Sequence, residues 1–86
     1  MFNYRNHLTR HRIKSIQFTD HILVIDLDGK RLTCNLNNVS PRLLSATESD
    51  RNNYIISPGG YGIHWPSLDE DLSINALLMT CSGNFH

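Results

Sequence analysis

Only two cysteines, three prolines and one tryptophan occur among the 86 residues. Two thiols make neither a disulfide scaffold nor a zinc site built from thiolates, so a reducing cytoplasm is the expected setting. No apolar run exceeds the stretch 22–25, whereas a bilayer span needs about 20 residues. Membrane association is therefore not expected. Residues 1–12 lack the apolar segment of a secretory signal. Net charge is missing too, because eight Lys+Arg balance eight Asp+Glu. A polybasic coat, which binds nucleic acid by neutralising phosphates, is excluded.

What is present describes a folded globule. Hydrophobic residues make up 40% of the chain and mean hydropathy is −0.33, unlike a disordered segment. The length suits one domain. The expected organisation is an N-terminal arm over residues 1–12, a single α+β domain over 13–79 and a flexible C-terminal tail over 80–86. Charge is uneven along it. Residues 1–14 hold Arg5, Arg10, Arg12 and Lys14 and no acid, whereas residues 52–86 hold Asp69, Glu70 and Asp71 and no Lys or Arg.

Residues 13–18, 22–27 and 31–36 are short runs rich in β-branched and apolar residues. Asp28-Gly29 between the last two is a two-residue hairpin signal, since a type I′ turn needs positive φ at both positions. That turn sets Leu27 opposite Lys30, Asp26 opposite Arg31, Ile25 opposite Leu32 and Leu23 opposite Cys34. A tight turn at Asp20-His21 adds Phe18 opposite Leu23 and Ile16 opposite Ile25. Side chains alternate along a strand, so Ile16, Phe18, Leu23, Ile25, Leu27, Leu32, Cys34 and Leu36 share one inner face. Cys34 then reads as a small buried hydrophobe. Ile13, Ile22 and Val24 fall on the outer face.

A one-sided sheet needs a cover. Ser40-Pro41 is a helix start, with Ser as N-cap and Pro at the first helical position. Residues 47–50 cap a second short turn, and residues 54–57 read as a fourth strand. Three glycines in Gly59-Gly60-Tyr61-Gly62 mark an irregular loop. The spacing of Leu68, Leu72, Leu77 and Leu78 predicts a helical apolar face, with Asp69, Glu70 and Asp71 charging its N-terminus. The fold class expected is α+β: a small antiparallel β-meander of three strands, with a possible fourth, packed against short helices.

Several groups of residues bear on chemistry. The glycine loop lacks the spacing of a dinucleotide fingerprint or a P-loop. His64 followed by Asp69, Glu70 and Asp71 offers metal ligands or an acid–base pair. Trp65 reads either as core or as an interface anchor.

The blocks Asp28-Gly29-Lys30-Arg31, Ser40-Pro41-Arg42-Leu43-Leu44, Gly62-Ile63-His64-Trp65-Pro66 and Asp69-Glu70-Asp71-Leu72-Ser73 resemble the bacterial domain of unknown function 2442 family. The resemblance runs over residues 13–78. It implies a small α+β fold, found alone or fused to a helix-turn-helix domain, in members often encoded beside a small toxin-like partner. It implies no assigned activity. This sequence differs in its basic arm before residue 13 and in having no helix-turn-helix after Leu78.

The leading expectation is a non-catalytic protein-binding module, antitoxin-like or adaptor, acting on a protein partner such as a co-encoded toxin, or by self-association. Its candidate contacts are Ile22, Val24, Arg42, Tyr61, His64 and Trp65. One alternative is a small metal-dependent or hydrolytic enzyme using His64, Asp69, Glu70 and Asp71. A second is weak nucleic-acid association through Arg5, Arg10, Arg12 and Lys14. Neither a cofactor nor a bound metal is expected on the leading reading.

Overall fold

The computed structural model describes residues 10–84. Arg5 and the rest of residues 1–9 lie outside them. β1 (Ile13–Thr19), β2 (Ile22–Leu27) and β3 (Lys30–Asn35) form an antiparallel meander. Asp28 (φ 53°) and Gly29 (φ 76°) both take positive φ in the β2–β3 turn, and the turn fixes the register. Leu27 faces Lys30, Ile25 faces Leu32 and Leu23 faces Cys34, as the hairpin chemistry predicts. On the other side Phe18 faces Leu23 and Ile16 faces Ile25. Leu23, Ile25, Leu32 and Cys34 are all but inaccessible to water.

One outer-face expectation is corrected. The register shifts between Ile13 and Ser15, so that Ser15 pairs with Asp26 while Ile13 pairs with Leu27. Lys14 is the extra residue of this β-bulge, which turns Ile13 to the side of Leu27. Ile13 packs partly buried on the core, leaving Ile22 and Val24 as the aliphatic residues of the outer face.

Four short helices follow the pattern of their caps. Asn35 ends β3 and starts α1 (Leu36–Val39) by accepting from the Asn37 N–H, so Leu36 belongs to a helix and not to the strand. Ser40 caps α2 (Pro41–Leu44), and Thr47 caps α3 (Glu48–Arg51). α4 (Ile74–Thr80) is capped by Ser73, which accepts from the Ala76 N–H. Among the described residues no helix is long and apolar enough to cross a membrane.

A second antiparallel sheet holds β4 (Ile55–Ile56), β5 (Gly62–Trp65) and β6 (Glu70–Ser73). It overturns the single helix expected across residues 68–78. Asp69 takes the left-handed conformation (φ 50°, ψ 46°) after a 3-10 turn over Pro66–Leu68, and the chain doubles back with Glu70 opposite Trp65. From there the period is two. Leu72 and Ile74 are buried while Asp71 and Ser73 are exposed. Asp69 therefore lies in the turn before β6 and Glu70 and Asp71 lie within it, and none of the three caps α4, whose N-cap is Ser73. Ile63, Trp65 and Leu72 face the same core as the meander.

The C-terminal segment corrects two further expectations. Cys34 is bonded to Cys81, across a sequence separation of 47, so neither thiol is free. Beyond it, β7 (Ser82–Asn84) pairs antiparallel with β3 and completes a four-stranded sheet in the order β1-β2-β3-β7. The fraying expected for the tail does not hold over Ser82–Asn84, because β3 offered an unpaired edge and the cross-link brings the segment to it.

Trp65 sits where these parts meet. Its side chain is wholly buried, edge-on to Phe18 at 6.4 Å and tilted against Tyr54 at 6.2 Å. Its Nε1 donates to the Arg51 carbonyl at 2.9 Å. A residue with no accessible surface cannot anchor a partner, which corrects its place among the interface candidates. Trp65→Ala is expected to cost about 3–5 kcal/mol, the range for large aromatic truncations, read as a lowered urea midpoint. Cys81→Ser reopens the cross-linked loop, and chain entropy puts that loss at about 4 kcal/mol. Urea unfolding of the oxidised chain and the variant side by side checks the figure.

Candidate functional site

Two surface regions are built well enough to act on another molecule. The first is the outer face of the second sheet. Alternation along β5 turns Ile63 and Trp65 inward and leaves Gly62 and His64 on the other face. The pairing places Ile55 beside His64, and His64 beside Asp71. The three side chains form a row across three strands. His64 Nδ1 lies 2.7 Å from an Asp71 carboxylate oxygen, with both side chains well exposed. This pair is worth little to stability in open solvent.

A groove of about 560 Å³ runs over this row, bounded by Ile55, Pro58, Tyr61, His64 and Asp71. Gly62 forms part of its floor. Gly62 approaches the neighbouring strand closely enough that a Cβ there would lie 3.1 Å from the Leu72 carbonyl oxygen. The Ser57 hydroxyl accepts from the Gly62 N–H at 2.9 Å, tying β4 to β5 beyond their short ladder. Ile55 is 57% exposed and Ile56 38%. Two adjacent apolar residues on an edge strand are the largest departure from a polar surface in this sheet.

The acids His64 was expected to work with are not gathered around it. Only Asp71 reaches it. One Glu70 oxygen accepts from the buried Ser40 hydroxyl at 2.6 Å and the other from the Asp71 N–H. Ser40 thus donates to Glu70 while accepting from the Leu43 N–H, which fastens α2 to β6. Asp69 serves the turn, where its carbonyl and that of Leu68 accept from the Arg42 guanidinium at 2.7 and 3.1 Å. Arg42, expected at an interface, holds α2 to the β5–β6 turn. Among the described residues no three His, Cys, Asp or Glu side chains are grouped as metal ligands.

A family model described as a protein of unknown function (DUF2442) matches residues 13–83. The chain belongs to that family. No curated protein and no solved structure gives a significant match. In this DUF2442 chain, membership fits the small α+β architecture and leaves the activity open.

The second region lies where residues 10–12 join the domain. The His11 N–H donates to the Gly59 carbonyl at 2.9 Å. The His11 ring is almost wholly buried, with Nδ1 2.7 Å from an Asp28 carboxylate oxygen and Nε2 3.1 Å from Asn75 Oδ1. Asp28 also accepts from the Arg12 N–H at 2.8 Å, and the Asp28 N–H donates to the Arg12 carbonyl. Gly60 has φ 70°, and a Cβ there would collide with the His11 carbonyl. The glycine loop is shaped around this segment.

The sequence leaves His11 in an N-terminal arm, loose or added as a short strand, and gives it no partner. The signal passed over was the alternation Arg-His-Arg, in which one side chain faces opposite to the other two if the segment is extended. That one of the pair Ile55 and Ile56 faces outward was also legible, because neighbouring residues of a strand face opposite ways.

The Arg12 N–H bond, then the His11 ring, hold the Asp28 carboxyl below its ordinary value of 3.8. A lowered folded pKa adds stability that is complete above the unfolded value and lost as pH falls through the folded one. Asp28→Asn keeps a residue tolerant of positive φ and removes the charge. It should cost about 1 kcal/mol at neutral pH, since these bonds are partly exposed and screened. The gap between wild type and variant should close as pH drops below 3.8, measured by denaturant midpoints across the acid range.

Proposed function

We propose that this chain is a non-catalytic protein-binding module, antitoxin-like or adaptor, that associates with a protein partner through β4 and the groove beside it. The observation that carries the reading is the pair Ile55 and Ile56, exposed on a two-residue edge strand. Residues 52–57 around them hold no charged side chain. An edge strand offers unpaired backbone N–H and C=O groups, and an incoming extended segment satisfies them. Tyr61 and His64 along the groove supply the aromatic and polar contacts such a segment uses.

Ile22 and Val24 on the first sheet are half-buried. Ile22 borders a small cavity of about 200 Å³ together with Val39 and Thr80. That face offers a partner less apolar surface than β4. The partner we favour is the small toxin-like protein that the family resemblance suggests, encoded beside the chain. A cytoplasmic setting goes with that partner, and cytoplasmic thiols are kept reduced. The Cys34–Cys81 bond makes the redox state in the cell part of the proposal.

A hydrolytic or metal-dependent role keeps one supporting observation, the 2.7 Å His64–Asp71 contact. It lacks the convergence of further acids. Titration with zinc, manganese and magnesium separates the readings: stoichiometric binding abolished by Asp71→Asn would favour the enzyme.

The binding reading is tested by Ile55→Lys. An exposed position tolerates the charge, so the variant should unfold at the same midpoint as wild type within about 0.5 kcal/mol. It should lose capture of the neighbouring gene's product. Unchanged capture by the folded variant would remove β4 from the interface.

A further inference from the structure

We propose that Arg10 and Arg12 form a clamp for a single phosphate group carried by a small ligand. The argument begins with how the described arginines are used. Arg42 and Arg51 spend their guanidinium groups on backbone carbonyls inside the fold. Arg10 and Arg12 are exposed, and among the described residues their guanidinium groups make no hydrogen bond or ion pair.

The backbone that carries them is nonetheless held firmly. His11, between them, is bonded through its N–H to Gly59 and through its ring to Asp28 and Asn75. The glycine loop, the β2–β3 turn and α4 all converge on that one residue. With the His11 side chain turned into the protein, the side chains at i−1 and i+1 of an extended segment fall together on the opposite side. Arg10 and Arg12 both border one groove, carried on a support braced through His11. Lowering the mobility of the support reduces the ordering cost of binding.

The space beside them suits a small anion. A groove of about 560 Å³ is bordered by Arg10, Arg12, Gly29 and Gly59, within the range of small-ligand sites. A Cβ built on Gly29 meets nothing within 4 Å, so the floor is open to a ligand there. Asp28 also borders the groove, but its oxygens are engaged by the His11 ring and the Arg12 N–H. Planar guanidinium groups match phosphate oxygens two at a time. Arg10 and Arg12 bring two positive charges to the groove and the Asp28 carboxylate one negative charge, so the lining keeps a net positive charge towards a phosphate. The chain has no net charge, which favours a single phosphate over a long polyanion that needs a stripe of cations.

The test is titration of the full chain with inorganic phosphate and, separately, with a nucleoside monophosphate, read by amide chemical shifts. Saturable shifts at Arg10, His11, Arg12, Gly29 and Gly59 are expected. Tighter binding of the ester identifies a phosphorylated metabolite, and equal binding identifies free phosphate. The double variant Arg10→Gln, Arg12→Gln should keep its melting temperature and bind at least about tenfold more weakly. Arg31→Gln, an exposed arginine outside the groove, should bind as wild type. If the double variant melts early, Arg10→Lys keeps the charge, loses the fork and should still weaken binding severalfold.

Three results overturn the proposal. They are no saturable shift with either ligand, equal weakening by Arg31→Gln, or undiminished binding by the folded double variant.

Discussion

The fold depends on burying the Trp65 indole without orphaning its N–H. The ring fills the space between the meander and the second sheet, and burial of so large a side chain supplies a major share of the core's free energy. Its Nε1 needs an acceptor there, and the Arg51 carbonyl provides it. Arg51 in turn spends its guanidinium on the carbonyls of Leu43, Leu44 and Asp20 and lies 5.1 Å from the centre of the Phe18 ring. The end of α2, the turn between β1 and β2, α3 and β5 are thus joined through two side chains. Helices of four residues have no independent stability. They persist here because their terminal carbonyls and caps are used by the tertiary structure.

The same economy disperses the acids. Adjacent residues in a strand point opposite ways, so Glu70 and Asp71 cannot converge on one ligand from β6. Glu70 is drawn inward to the Ser40 hydroxyl, while Asp71 stays outside with His64. An Asp-Glu-Asp run reads as a charge cluster in the sequence. In the fold it becomes a turn residue, a helix fastener and a surface pair.

The meander was legible because its determinants are local. Asp28-Gly29 dictates positive φ, and the two-residue period then assigns every side chain from Ile16 to Cys34 to a face. Ser40 and Thr47 announced their helices through capping chemistry of the same short range. In the second sheet the strand read over residues 54–57 is β4, but β6 was hidden because Leu68 and Leu72 fit a helical spacing as well as they fit a turn followed by a strand. What decided between them was the ladder of Ile63 with Leu72, a pairing no local signal encodes. The Cys34–Cys81 bond was missed for a related reason: Cys81 reaches Cys34 only once α4 has packed. The Ile13 reversal turned on a single extra residue, Lys14, which a strict alternation cannot anticipate. At the candidate sites, chemistry-bearing residue types were visible and their partners were not. His64 was noticed, yet the groove beside it depends on β4 and on the glycine loop. Arg10 and Arg12 were noticed, yet their bracing depends on Asn75 from the far end of the chain.

Edge protection explains why association is best sought at β4. A free strand edge invites pairing unless a charge, a bulge, a cover or brevity prevents it. β1 carries the bulge at Lys14 and that residue's exposed charge. β3 is covered by β7, itself only three residues long. β6 carries Glu70 and Asp71. β4 carries isoleucines alone. Its brevity limits uncontrolled pairing, because two residues provide few backbone bonds. A partner must therefore add side-chain contacts to bind there, and the groove holding Tyr61, His64 and Asp71 lies alongside to receive them. An edge left apolar but too short to pair indiscriminately is the arrangement that selective association requires.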